Sequence, residues 1–120
     1  MGLTHVTVTL RNLARRERTY TGIFLVDTGA YDSLVPAEAV EALGLDAAGD
    51  VECELADGTP QRFRFGVCQI EFMGEVTGGR VLFGSAGIEP LLGVTALESV
   101  GITVDPRTQT LKRLPAIPLK

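Results

Sequence analysis

Phe24-Leu25-Val26-Asp27-Thr28-Gly29-Ala30-Tyr31-Asp32-Ser33 is the stretch on which the reading of this chain turns. An unbroken apolar run from Ile23 to Val26 leads straight into a carboxylate. A run of that kind predicts a strand buried on both faces. An acidic side chain at its end is costly unless it is hydrogen-bonded or functional. Thr28 sets a hydroxyl beside the acid, and Gly29 lets the backbone turn or approach closely with no Cβ in the way. The stretch therefore predicts a desolvated carboxylate on a tight turn, the setting in which carboxyl groups take perturbed pKa values and functional roles.

Working outward, the chain is rich in strand signals. His5 to Leu10 alternates strictly with β-branched residues and predicts a strand, followed by a turn from Asn12 to Arg18. On the other side of the acidic turn, Pro36 to Leu43 predicts a short helix. Pro36 suits its first position, Val40 and Leu43 share a face, and Gly44 ends it. Val51 to Leu55 alternates as a half-buried strand. Asp57-Gly58 then predicts a tight hairpin turn with positive φ at both central residues. The return strand, Phe63 to Phe72, shifts its apolar parity near Val67 and Cys68, which predicts a bulge or a change of buried face. Gly78-Gly79 predicts a turn before a strand from Val81 to Phe83. Leu91-Leu92-Gly93 closes another apolar run, and Thr95-Ala96-Leu97-Glu98 has the form of a capping box opening a second helix that Gly101 ends. Ile102 to Val104 and Thr110 to Leu114 predict a final hairpin around Asp105-Pro106-Arg107. With 120 residues and no repeat or low-complexity linker, one mostly antiparallel all-β domain over residues 1–120 is expected.

Composition narrows the function. A net charge of -4 and a pI near 4.9 speak against nucleic acid as the main partner. Arg11, Arg15, Arg16 and Arg18 form the one local basic cluster, and a solvated hairpin turn accounts for it. No stretch approaches the ~20 apolar residues of a membrane helix. Met1-Gly2-Leu3-Thr4-His5 lacks the features of a signal peptide, so a cytoplasmic location is expected. Cys53 and Cys68 have no nearby Cys or His in a metal-site spacing and read as small buried apolar side chains, with a disulfide left to geometry. No cofactor or metal is implied. His5 is the only histidine, which leaves Ser-His and Cys-His mechanisms poorly supplied.

The stretch around Asp27 resembles the retropepsin-like (retroviral-type) aspartic peptidases, in which an apolar strand runs into Asp-Thr-Gly-Ala. The tripeptide alone is a weak signal. Its context sharpens it: the apolar run before, Ala30 with Ser33 three positions later, the Asp57-Gly58 hairpin, and Leu91-Leu92-Gly93 ahead of a short helix. Order and spacing are similar to those of bacterial members of the superfamily, across roughly residues 4 to 114. The resemblance implies the acid-protease fold, a closed β-barrel with one or two short helices, and no cofactor. It implies that Asp27 is the catalytic carboxylate, that Thr28 bonds across a dimer axis, and that Gly29 accepts hydrogen bonds from substrate backbone. Leu91-Leu92-Gly93 would pack beside the active loop. Ala30 and the flap residues Ala56, Asp57, Gly58 and Thr59 would contact substrate. Two positions depart from the viral pattern. Tyr31 stands where viral relatives carry an acid, and Val94 stands where they carry an arginine, so the ion pair between those positions is absent.

The chemistry implied needs two carboxylates about 3 Å apart sharing one proton, because like charges that close do not both ionise readily. The chain has a single Asp-Thr-Gly. A two-fold axis between two copies would supply the second carboxylate from the same sequence. The expectation is a homodimeric endopeptidase acting on an extended polypeptide. The alternatives are a non-catalytic dimeric peptide-binding module with the same fold, and a small nucleotide- or RNA-binding barrel leaning on Gly78-Gly79-Arg80 and Gly84-Ser85-Ala86-Gly87. The last lacks a phosphate-loop lysine.

Overall fold

A computed structural model of the chain describes residues 4–117 and 119. Met1 to Leu3, part of the segment in which a leader was sought, lie outside the described residues. Strand β1 (His5–Arg11) pairs antiparallel with β2 (Thr19–Asp27) from His5↔Leu25 to Arg11↔Thr19. A short β3 (Ser33–Val35) follows the Asp27 stretch and leads into helix α1 (Ala37–Leu43). β4 (Gly49–Glu54) and β5 (Pro60–Phe72) form a long hairpin, and β5 continues into antiparallel pairing with β6 (Glu75–Phe83). β7 (Leu91–Gly93) runs into helix α2 (Val94–Ser99). β8 (Ile102–Asp105) and β9 (Thr110–Arg113) form a separate two-stranded sheet.

The large sheet has the order β1-β2-β7-β3-β6-β5-β4, and a further pairing of β1 with β5 closes six strands into a barrel. The all-β closed barrel with two short helices expected from the sequence is therefore present. Inward-facing residues fill it: Val8 and Leu10 from β1, Phe24 from β2, Ile70 and Phe72 from β5, and Val81 from β6 are all buried. Each such side chain contributes roughly 1.5–3 kcal/mol on burial, so the barrel interior is the main source of stability. Cys68 shares this interior, and burial pushes its thiol pKa up to about 12. It is free, as is Cys53, which is only half-buried rather than a core residue.

The structure revises several local expectations. Ile23 is 65% exposed, so the run into Asp27 is not buried on both faces; Phe24 points in and Ile23 points out of the barrel wall. Gly78 and Gly79 do not turn. They lie inside β6 opposite Gln69 and Cys68, and the turn falls at Met73 (φ 54) and Gly74 (φ 76) instead. β5 has no bulge: its register runs unbroken along β4, β6 and β1, and the parity shift is a change of buried face near Gly66. Pro36 sits one residue before α1, at its N-cap, and Gly44 closes that helix in the left-handed conformation (φ 65).

Thr95 forms no capping box. The N-cap of α2 is Gly93 with no side-chain bond. The N–H groups of Val94 and Thr95 are taken instead by the carbonyls of Ala30 and Tyr31, at 2.9 and 3.2 Å. The loose N–H groups of a helix start need some acceptor, and here the loop after Asp27 supplies it. The arginine cluster is also not merely solvated. Arg18 donates to the α1 C-terminal carbonyls of Glu41 and Ala42, and Arg11 pairs with Glu71 at 3.0 Å. No helix among the described residues is long and apolar enough to cross a membrane.

Candidate active site

Asp27 is the last residue of β2, and its position follows from how β7 is threaded. β7 lies between β2 and β3, parallel to the first (Leu25↔Leu91, Val26↔Leu92, Asp27↔Gly93) and antiparallel to the second (Leu34↔Leu91). The loop from Thr28 to Asp32 must therefore arch over the end of β7. Gly93 makes that crossing possible. A Cβ there would stand 2.6 Å from the carbonyl carbon and oxygen of Asp32 and 2.7 Å from the Tyr31 carbonyl oxygen. Ser33, only 3% exposed, accepts a hydrogen bond from the Gly93 N–H at 3.0 Å and ties the far side of the arch to β7.

Within the arch the Asp27 carboxylate accepts a hydrogen bond from the Gly29 N–H at 3.0 Å, and the Ala30 N–H donates to the Asp27 carbonyl at the same distance. A Cβ on Gly29 would meet that carboxylate oxygen at 3.3 Å, a tight contact that explains the glycine without any left-handed φ. The carboxylate is half-buried rather than desolvated in the single chain. It opens onto a cavity of about 640 Å³ between the arch and the β4–β5 hairpin.

Of the site residues read from the sequence, Asp27, Gly29, Ala30 and Ala56 line this cavity. Thr28 faces a neighbouring space of about 280 Å³ that is walled largely by α2 and β8. Asp57, Gly58 and Thr59 form the hairpin tip and do not line the cavity. The tip is a three-residue loop, with Gly58 N–H donating to the Leu55 carbonyl and Leu55 N–H donating to the Thr59 carbonyl, each at 2.8 Å. Only Gly58 has positive φ (87), so Asp57 does not adopt the conformation expected of it. Asp57 instead accepts from the Thr59 N–H at 2.9 Å, which holds its carboxyl below the ordinary value of 3.8.

Sequence reasoning missed the rest of the cavity wall. Val51 and Cys53 of β4, Phe63 of β5 and Leu82 of β6 give it an apolar lining, and Asp32 and Arg80 form an ion pair on its wall at 3.3 Å. Alternation along β4 marked Val51 and Cys53 as one face, but which face meets the arch depends on the barrel closing. Arg80 stood in the sequence only as part of Gly78-Gly79-Arg80.

A closed six-stranded barrel whose Asp-Thr-Gly loop is straddled by a threaded strand is the retropepsin-like architecture. Residues 19–99, more than half of the chain, match the family described as "gag-polyprotein putative aspartyl protease", and the chain belongs to that family. The matched span runs from the start of β2 to the end of α2 and so includes the arch, the hairpin and β7. No curated protein matches the chain.

Proposed function

We propose that two copies of this chain form an aspartic endopeptidase in which the Asp27 carboxylates meet across a two-fold axis and hydrolyse peptide bonds. The observation that carries the reading is the placement of Asp27. It ends its strand at the floor of a peptide-sized cavity, its carboxylate accepts from the Gly29 N–H, and the sequence holds no second Asp-Thr-Gly to pair with it. Thr28 is directed to the adjoining space rather than the cavity, which suits a role in joining the two arches.

In the dimer one carboxylate takes a proton from water as the oxygen attacks the scissile carbonyl, and the other gives its proton to the developing oxyanion. Collapse of the tetrahedral intermediate returns a proton to the leaving nitrogen. The Gly29 N–H steadies the charged partner throughout. Substrate lies extended between the arch and the β4–β5 hairpin, bonded through its backbone, while the apolar cavity wall receives side chains.

The test is Asp27→Asn, assayed on an unfolded protein between pH 4 and 8 alongside sedimentation. Cleavage is expected to fall by roughly 10²–10⁴-fold or more. The dimer and the melting profile should persist, and a statine-type inhibitor should block the unaltered enzyme. Undiminished cleavage in the variant removes the assignment. A stable dimer of the natural sequence that cuts nothing would instead support a peptide-binding module.

A further inference from the structure

One cation stands in a cavity otherwise walled by apolar and acidic side chains. Arg80, on β6, is the single Lys or Arg among the described residues lining the space above Asp27. Its guanidinium is fixed from two directions. Nε lies 3.3 Å from an Asp32 carboxylate oxygen, and the guanidinium carbon sits 4.7 Å from the centroid of the Phe65 ring. An arginine offers five N–H donors in a planar fork. Asp32 engages the Nε side, and among the described residues the Nη nitrogens donate no hydrogen bond to the protein. The side chain is 39% exposed, whereas that of Asp32 is 12% exposed, so the open end of the pair is the guanidinium. A fork already held by stacking and pairing gives up little further freedom when a ligand binds it.

The geometry points to Arg80 as a specificity determinant of the peptide groove, its open Nη fork taking the side-chain oxygen of a substrate glutamine or glutamate. This rests on the peptidase reading above. Asp32 and Asp27 both repel a second carboxylate, so the neutral amide of glutamine is favoured first and glutamate next. Leucine leaves the donors unmatched, and lysine meets a like charge. Because each protomer brings its own Arg80, the two-fold axis places one such subsite on each side of the scissile bond. The preference should therefore appear at two positions, not one.

The experiment digests a mixture of unfolded proteins with the dimeric enzyme and maps the cut sites by mass spectrometry. Four forms are compared: natural sequence, Arg80→Leu, Arg80→Lys and Asp32→Asn, each checked for folding by its melt. A hydrogen bond to a charged donor predicts roughly tenfold or greater enrichment of glutamine over leucine at the paired positions. Arg80→Leu should abolish it, and Arg80→Lys, which keeps charge without the fork, should reduce it. Asp32→Asn should raise glutamate above glutamine. A flat profile in Asp27-dependent cleavage overturns the subsite and leaves the peptidase reading standing, as does an enrichment unchanged in Arg80→Leu or, if that variant does not fold, in Arg80→Lys. Absence of any Asp27-dependent cleavage removes both.

Discussion

Asp27 and Asp57 make the same local turn, each accepting a hydrogen bond from the N–H two residues on, at 3.0 and 2.9 Å. Their surroundings differ. Around Asp27, the carbonyls of Ala30 and Tyr31 are held by the start of α2, Ser33 is tied to Gly93, and the backbone of the arch presses on β7 so closely that a single methyl would not fit. Around Asp57, every backbone bond is made within the hairpin itself. The nearest atom to a Cβ placed on Gly58 is a Glu54 carboxylate oxygen at 3.8 Å. An identical motif is thus locked by tertiary contact in one place and left to its own strand pair in the other. The first is what the proposed peptidase needs of its reacting carboxylate, the second what it needs of a hairpin that admits substrate.

The contrast can be tested by adding one methyl against the arch and one in the hairpin tip. In Gly93→Ala the clash is with three backbone atoms of Tyr31 and Asp32, which side-chain rearrangement does not relieve. A loss of about 3 kcal/mol is expected, read from urea unfolding. A loss below 1 kcal/mol would show that the arch gives way more easily than its packing implies. Ser33→Ala, which leaves the buried Gly93 N–H without its acceptor, should cost about 2 kcal/mol. It should also weaken peptide cleavage more than it weakens dimerisation, because the arch rather than the barrel is loosened. Gly58→Ala meets no clash but must hold the left-handed backbone, at a cost of about 1 kcal/mol confined to the hairpin. Amide exchange should quicken from Leu55 to Thr59 while the rates along β2 stay unchanged. Equal quickening in both regions would erase the distinction.

The smallest effect is one of pH. The Thr59 backbone N–H holds the Asp57 carboxyl below 3.8, so its contribution to hairpin order is fully present above the unfolded value. It is lost as pH falls through the lowered value. An NMR titration should place the Asp57 midpoint below 3.8, with the Thr59 amide shifting in step. An Asp57 midpoint at or above 3.8 would contradict the turn.

Much of this architecture was legible in the chain because its signals are local. Alternation in β1 and β4, the apolar run of β2 and the Gly44 helix stop each depend on neighbours within a few residues. β3 was missed because three residues are too few to display a period, and its existence depends on β6 and β7 lying alongside. Gly78-Gly79 misled for a related reason. A glycine pair reads as a turn when no partner strand is known, yet here Gly79 and Gly78 face Cys68 and Gln69 in an unbroken ladder. Thr95 had the spacing of a cap, but α2 already begins at Val94 behind the Gly93 cap, which puts Thr95 inside the first turn, and its own N–H goes to the Tyr31 carbonyl. At the site, Asp27, Gly29 and Ala30 were found through their motif, whereas Asp32 and Arg80 meet only once β6 has come round the barrel beside the arch.

The outer side of β4, a strand that pairs only with β5, is an open rim of the large sheet. A rim of unsatisfied backbone donors and acceptors will recruit any strand that comes near, including the same rim on another molecule. Asp50, Glu52 and Glu54 are all exposed along it at alternate positions. Two such rims laid edge to edge would bring acid against acid, so the hairpin can keep its backbone available to a passing chain without seeding fibres of its own kind.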